Sequence, residues 1–226
     1  MARQAAPGTV REPAGEAPAC VRRPDVPRLD RVFKAAYAAK PTLLFDIDGV
    51  LAFLAHTILT AVNARFGTSY AIDDMRRYWV ESWLPPEQGD WLADRFDEPD
   101  FYATVAPDYR AVDALLQLYA RVFRVVIATD RPASAADVTR AWLARYGVSF
   151  DELVVDGPGS KATVAARHDE DDPLIVFDDD PRKWLELPRP GVEVWSPRRV
   201  WTPNEAGLFN VTVFDSWPAV VRRLTQ

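Results

Sequence analysis

The sequence predicts an α/β protein: a three-layer, Rossmann-like parallel sheet with a small helical cap inserted. Three observations carry this expectation. Short, almost wholly apolar segments ("TLLF" at 42–45, "FRVVIA" at 123–128, "ELVV" at 152–155, "LIVF" at 174–177 and "VEVW" at 192–195) alternate with helical stretches. That is the pattern of parallel strands covered on both faces. Charged or hydroxyl residues follow several of them at once, as in "FDIDG" and "FDDDP". Finally, 52–108 breaks the alternation with helix upon helix, rich in aromatics and too long for a loop.

The elements follow in order. Residues 1–27 are rich in Ala, Pro, Arg and Glu without an apolar period, and read as a flexible tail. A helix is expected over 28–39, then the first strand. The α/β core is assigned to 28–51 and 109–226, and the helical cap to 52–108. In the cap, Leu54, Ile58, Val62 and Phe66 recur at helical spacing and Gly67 closes the helix. A second helix is expected over Asp73–Trp83, stopped by Pro85–Pro86, and a short third one around Trp91, Leu92 and Phe96. Val112, Leu115, Leu116 and Tyr119 mark the next helix. Ser134 and Asp137 have the spacing of a capping box, opening a helix with Val138, Trp142 and Tyr146 on one face. Short helical stretches are expected from Ser160 and near Trp217–Leu224. No internal repeat is visible.

Composition narrows the function. The chain has 226 residues and is 48% hydrophobic, enough for one sizeable core. No apolar run approaches the roughly 20 residues that cross a bilayer. No secretory-type stretch opens the chain, and its single cysteine, Cys20, suits a reducing compartment, so a cytoplasmic location is expected. Residues 1–40 hold 8 Lys/Arg against 4 Asp/Glu, the remainder 19 against 29. Such an acidic body is a poor binder of nucleic-acid backbone, and it holds a small anion only where countercharge is supplied locally.

In an open parallel sheet, ligands bind beyond the carboxyl ends of the strands. There the sequence sets Asp46, Asp48 and Gly49 after the first strand, and Thr129, Asp130 and Arg131 after the second. Ser160 and Lys161 stand at a helix start after the third, and Asp178, Asp179 and Asp180 after the fourth. Carboxylates so crowded are tolerable when a divalent cation sits among them, and oxygen-only ligation suits Mg²⁺. Lys161 at a helix start runs against the helix dipole, which hints at a functional reason. His56 and His168 have no partner at metal spacing and read as surface residues.

"DIDGV" after an apolar strand, Thr129, Lys161 and the Asp178–Asp179 pair resemble, in order and spacing, the four motifs of the haloacid dehalogenase superfamily. The match spans about 41–220. "DIDGVLAFL", "NARFGTSY", "FYATVAP", "FDDDP" and "VTVFDSWPAV" are similar to its 5′(3′)-deoxyribonucleotidase branch. "TDRPASAADVTRAWLARYG" also resembles the phosphatase domain of polynucleotide kinases. The resemblance implies a phosphomonoester hydrolase with Asp46 as nucleophile, forming an aspartyl-phosphate, and Asp48 as general acid and base. It implies Thr129 and Lys161 on the phosphate. Mg²⁺ would be held by Asp46, the Asp48 main-chain carbonyl and Asp179, with Asp178 in support. Two residues depart from the pattern: Asp130, which Arg131 is expected to offset, and Asp180, which Arg182 or Lys183 is expected to offset.

The expected substrate is a small phosphorylated metabolite, such as a nucleoside monophosphate, with no membrane or nucleic-acid partner. Phe53, Trp79 and Trp83 are the candidates for selecting it, although aromatics in this region, Phe101 and Tyr102 included, also suit a cap core. The competing readings are a 3′-phosphatase of nucleic-acid ends and a catalytically silent scaffold. The oligomeric state is open, a homodimer among the options.

Overall fold

The structure, a computed structural model, describes residues 40–75, 77–202 and 208–226. The tail, the helix expected over 28–39 and Cys20 lie outside the described residues. Six strands form one sheet: β1 (Thr42–Phe45), β2 (Val125–Thr129), β3 (Glu152–Val155), β4 (Leu174–Phe177), β5 (Val192–Pro197) and β6 (Val211–Phe214). All pair in parallel, in the order β3-β2-β1-β4-β5-β6. The chain winds outward from β1 in both directions, so the order reverses between β1 and β4. A crevice opens at such a point beyond the strand ends.

The apolar strands follow from this topology. Leu43 and Phe45 point into one layer, with Ala111, Leu115 and Leu118 of α4 (Tyr109–Ala120), Trp142 of α5 (Ala136–Arg145) and Val220 of α8 (Trp217–Thr225). Leu44, Val126 and Val176 point into the other, with Val164 of α6 (Ser160–Ala165) and Trp184 of α7 (Lys183–Glu186). A central strand buried on both faces has no polar face to alternate.

Between β1 and α4 the chain is helical. α1 (Leu54–Phe66) ends at Gly67, whose φ of 65° and N–H bond to the Asn63 carbonyl form a left-handed C-cap. α2 (Pro86–Phe96) and α3 (Pro99–Ala103) follow. Ile58, Val62, Met75, Val80, Leu92 and Phe101 form a separate apolar cluster here. Its two connections to the sheet are tied together: the Phe53 N–H donates to the Ala106 carbonyl and the Asp108 N–H to that of Leu51, each at 2.8 Å. Asp108 also caps α4, accepting from the N–H groups of Arg110 and Ala111.

Three local expectations need correction. The helix expected over Asp73–Trp83 is two single 3₁₀ turns, Ile72–Asp74 and Val80–Ser82, with Trp79 extended between them. Tyr78, Trp79 and Val80 in succession are poor helix formers, and burying Met75 and Val80 in the cap cluster decides their path. The Ser134–Asp137 capping box does not form. A 3₁₀ turn over Ala133–Ala135 leads into α5, whose N-cap is Ala135 without a side-chain bond. The strand β6 and the helices α3 and α7 are elements that the apolar pattern left unassigned.

Trp142 is 2% exposed, and its indole N–H donates to the Val105 carbonyl at 2.7 Å, joining α5 to the second connection. Trp142→Phe leaves that carbonyl buried without a partner. Urea unfolding should show a loss of about 1–3 kcal/mol.

Candidate active site

The site stands at the carboxyl ends of β1, β2 and β4. Asp46 continues the β1 ladder, its N–H bonded to the Phe177 carbonyl at 2.9 Å. The Ile47 carbonyl then accepts from the N–H groups of Leu51 and Ala52, turning the chain back sharply. Gly49 lies inside that turn at φ +81°, and a Cβ there would meet the Asp179 carboxylate at 2.1 Å. Only glycine lets the two acidic loops approach so closely.

Asp46, Asp178 and Asp179 are buried, and a carboxylate oxygen from each lies within 4.8 Å of the other two. Lys161 offsets part of this charge. Its buried ammonium is 3.0 Å from Asp46, 2.7 Å from Asp178 and 4.0 Å from Asp130. Asp46 Oδ1 and Asp179 Oδ1 are buried with no hydrogen-bond partner. Buried carboxylate oxygens without donors, drawn together from two loops, suit a hard divalent cation.

The acidities reflect this crowding. Burial pushes the Asp46 carboxyl well above the usual carboxylate range, Lys161 opposing and Asp178 adding to the shift. Asp179 is pushed up to about 8, by burial first and Asp178 next. At Lys161, burial works to lower the pKa, but Asp178 and Asp46 outweigh it, so the ammonium is held well above its ordinary value.

Asp48 stands apart from the cluster of three. Its carboxylate receives two hydrogen bonds from the Arg131 guanidinium, at 2.7 and 2.8 Å. Arg131 is 2% exposed, bonded also to Thr139 and stacked over the Tyr102 ring at 4.6 Å. Arg131 therefore pairs with Asp48, not with Asp130 as expected. Asp130 instead faces Lys183 at 3.4 Å and accepts from the Ser160 hydroxyl. Asp180 meets Arg182, one of its two expected partners. Thr129 is buried at the end of β2, and its carbonyl accepts from Ser160.

A cavity of about 460 Å³ opens over the site between the sheet and the helical segment. Asp48 and Asp179 line its floor, and Tyr78, Trp79, Ile58 and Tyr102 its walls. Of the three aromatic candidates, only Trp79 lines it. Phe53 borders a neighbouring cavity, and Trp83 packs edge-on against Tyr70 in a separate recess. His56 is exposed, whereas His168 is a buried residue whose ring nitrogen meets Asp172, so the surface reading of His168 is corrected.

Two residues at the site escaped the sequence reading. Tyr78 lines the same cavity as Asp179, and burial, then the carboxylates of Asp179, Asp180, Asp178 and Asp46, suppress the acidity of its phenol. Arg199, after β5, donates to the Gly49 carbonyl at 2.6 Å across 150 residues. No local spacing signals either, because both arrive through tertiary packing.

A doubly wound parallel sheet with buried aspartates after β1 and β4 and a buried lysine between them defines a phosphatase of the haloacid dehalogenase class. The fold is shared with a hydrolase of that family from Deinococcus radiodurans R1, with bound phosphate and sodium, at TM-score 0.58 and 17% identity over 83% of this chain and 99% of that one. It is shared also with a subfamily IA hydrolase from Geobacter sulfurreducens, at TM-score 0.52 and 15% identity over 82% and 100% of the chains. Among curated proteins none matches. Residues 40–191 match the model of the family described as 5′ nucleotidase, deoxy (pyrimidine), cytosolic type C protein, and the chain belongs to that family.

The raised pKa of Asp179 gives a pH prediction. Its folded value lies above the unfolded one, so in metal-free protein its contribution to stability is present below about pH 4 and fades as pH rises toward 8. A cation that needs the ionised carboxylate competes with that proton. Affinity for a divalent cation, probed by calorimetry with Mg²⁺, should rise with pH through this range, Asp179 contributing up to about tenfold per unit from 6 to 7.5 and Asp46 adding to the rise. Asp179→Ala should weaken binding and flatten this dependence, Asp46 leaving a remainder, and Asp180→Ala should keep it in full. If Asp180→Ala is the more damaging, Asp180 is the ligand.

Proposed function

We propose that the protein hydrolyses a phosphomonoester through an aspartyl-phosphate on Asp46. The observation that carries this reading is that Asp46 offers a buried carboxylate oxygen with no partner, while Lys161 holds its other oxygen at 3.0 Å. A carboxylate so placed is oriented as a nucleophile.

Asp46 would attack phosphorus in line, and the bond from phosphorus to the leaving oxygen would break as the acyl phosphate forms. Asp48 would give its proton to that oxygen. It would then take one from the water that attacks the same phosphorus, returning Asp46 as carboxylate and releasing inorganic phosphate. Arg131 would fix the direction of the Asp48 carboxylate through its paired bonds. Thr129 and Lys161 would hold the phosphate oxygens that do not react. The cation would be Mg²⁺, held by Asp46, Asp179 and the Asp48 main-chain carbonyl with Asp178 beside them. When bound, it supplies the charge neutralisation that brings a phosphate dianion among aspartates.

A nucleoside monophosphate is the substrate this reading favours. The family's description and a cavity with the indole of Trp79 at its wall support it. The wording of that description, together with the chain's single cysteine, supports a cytoplasmic location.

Asp46→Asn should lower turnover about 10³-fold or more with the fold intact, since an amide does not attack phosphorus. Phosphate release by purified variant and parent, with circular dichroism as the folding check, decides this. Near-parental turnover overturns the mechanism. Trp79→Ala should lower kcat/KM for nucleoside monophosphates more than for p-nitrophenyl phosphate, a preference that Phe53→Ala and Trp83→Ala should not reproduce. A screen in which sugar phosphates are hydrolysed and nucleoside monophosphates are untouched would remove the nucleotide reading.

A further inference from the structure

Asp180 has no part in the chemistry above, yet it is 1% exposed, a costly place for a carboxylate. Its oxygens are taken up by one residue. The Arg182 backbone N–H donates to Oδ1 at 2.9 Å, Nε donates at 2.8 Å and Nη2 lies 2.6 Å from Oδ2. This fixes the guanidinium on the sheet side of the cavity. Its carbon then sits 4.0 Å from the centroid of the Trp79 ring, which belongs to the helical segment on the opposite side. Trp79 in turn packs edge-on against Tyr78, ring centres 5.4 Å apart at 88°. A chain of contacts therefore crosses the mouth of the cavity, from a buried carboxylate through a cation to two aromatics. Both Tyr78 and Trp79 lie between the two 3₁₀ turns, tied to the second turn through the Trp79 carbonyl, which accepts from the Ser82 N–H and hydroxyl, so side-chain contacts share in setting their position.

We propose that Arg182 is a positioning residue that, braced by Asp180, latches the Tyr78–Trp79 segment across the cavity and so fixes the wall that the organic part of the substrate meets. Arg182 is unsuited to be a mere surface charge, because three of its bonds go to one buried carboxylate and its face is stacked. It is equally unsuited to be the main anion binder, because Asp180 already neutralises it. The role explains why this chain carries an acid at 180, where the motif needs none. It goes beyond the phosphatase reading, and its first test does not depend on activity.

Hydrogen exchange at the amides of Ser82, Trp83 and Leu84, which donate to the Trp79 and Val80 carbonyls, is that test, on the full chain with Arg182→Ala, Arg182→Lys and Asp180→Asn. Arg182 is half exposed, so its replacement should not unfold the protein. In Arg182→Ala, exchange at these three amides should quicken about threefold to thirtyfold, the span expected for loss of a cation–π contact, while β1 and β4 keep the parental rate. Arg182→Lys, which keeps a cation over the ring, should fall in between, and Asp180→Asn should resemble Arg182→Ala. Unchanged exchange at these amides, or an equal rise in β1 and β4, overturns the proposal. On an active enzyme, a double-mutant cycle of Arg182→Ala and Trp79→Ala adds a second readout. Their effects on the kcat/KM ratio of thymidine 5′-monophosphate to p-nitrophenyl phosphate should be strongly non-additive, and additivity overturns the proposal. An inactive enzyme would refute the phosphatase reading and leave the exchange result to decide this one.

Discussion

A buried ammonium, Lys161, stands between Asp46 and Asp178, and the arrangement of the acidic loops depends on it. Removing one partner from a buried charge cluster costs about 3–5 kcal/mol, because the charges left behind have neither water nor a counterion. Here several aspartates would be left. Lys161 comes from the start of α6, so a helix packed on one face of the sheet secures loops that follow its two central strands. Burial makes the ion pairs strong, and the same burial makes the remaining free oxygens of Asp46 and Asp179 receptive to a cation.

The second pairing, Asp48 with Arg131, divides the labour between two carboxylates two residues apart. Asp46 belongs to the buried cluster, while Asp48 turns toward the cavity and is held at both oxygens by a guanidinium. Rigid fork geometry suits that task better than a lysine would. Arg131 in turn rests on Tyr102, so a loop at the end of the sheet and a helix of the insertion share one side chain. Arg199 acts similarly from the other flank, its hydrogen bond to Gly49 joining the loop after β5 to the turn between Asp48 and the insertion. The site is thus assembled from the sheet outward, with the insertion held at several points around its rim.

On the proposed function, selectivity for the organic group would fall to that rim, since the floor would offer only what every phosphomonoester shares. The Tyr78–Trp79 segment of the wall lies between two 3₁₀ turns, and the Asp180–Arg182 pair faces it from the sheet.

The sequence by itself determined five of the six strands and the floor of the site. Apolar strands buried on both faces are written residue by residue, and their carboxyl ends place Asp46, Thr129 and Asp178 wherever the helices go. Gly49 is legible for the same reason, since a sharp turn directly after Asp48 demands it. What tertiary structure alone decided is which charges pair and which aromatics face the cavity. Arg131 reached Asp48 rather than its neighbour Asp130 because a pairing of buried charges is settled by direction and distance, to which adjacency in sequence is no guide. Tyr78 and Trp79 came to the cavity while Trp83 and Phe53 did not. Their placement follows from how Met75 and Val80 pack into the cap cluster, a contest among competing apolar contacts that no local periodicity records.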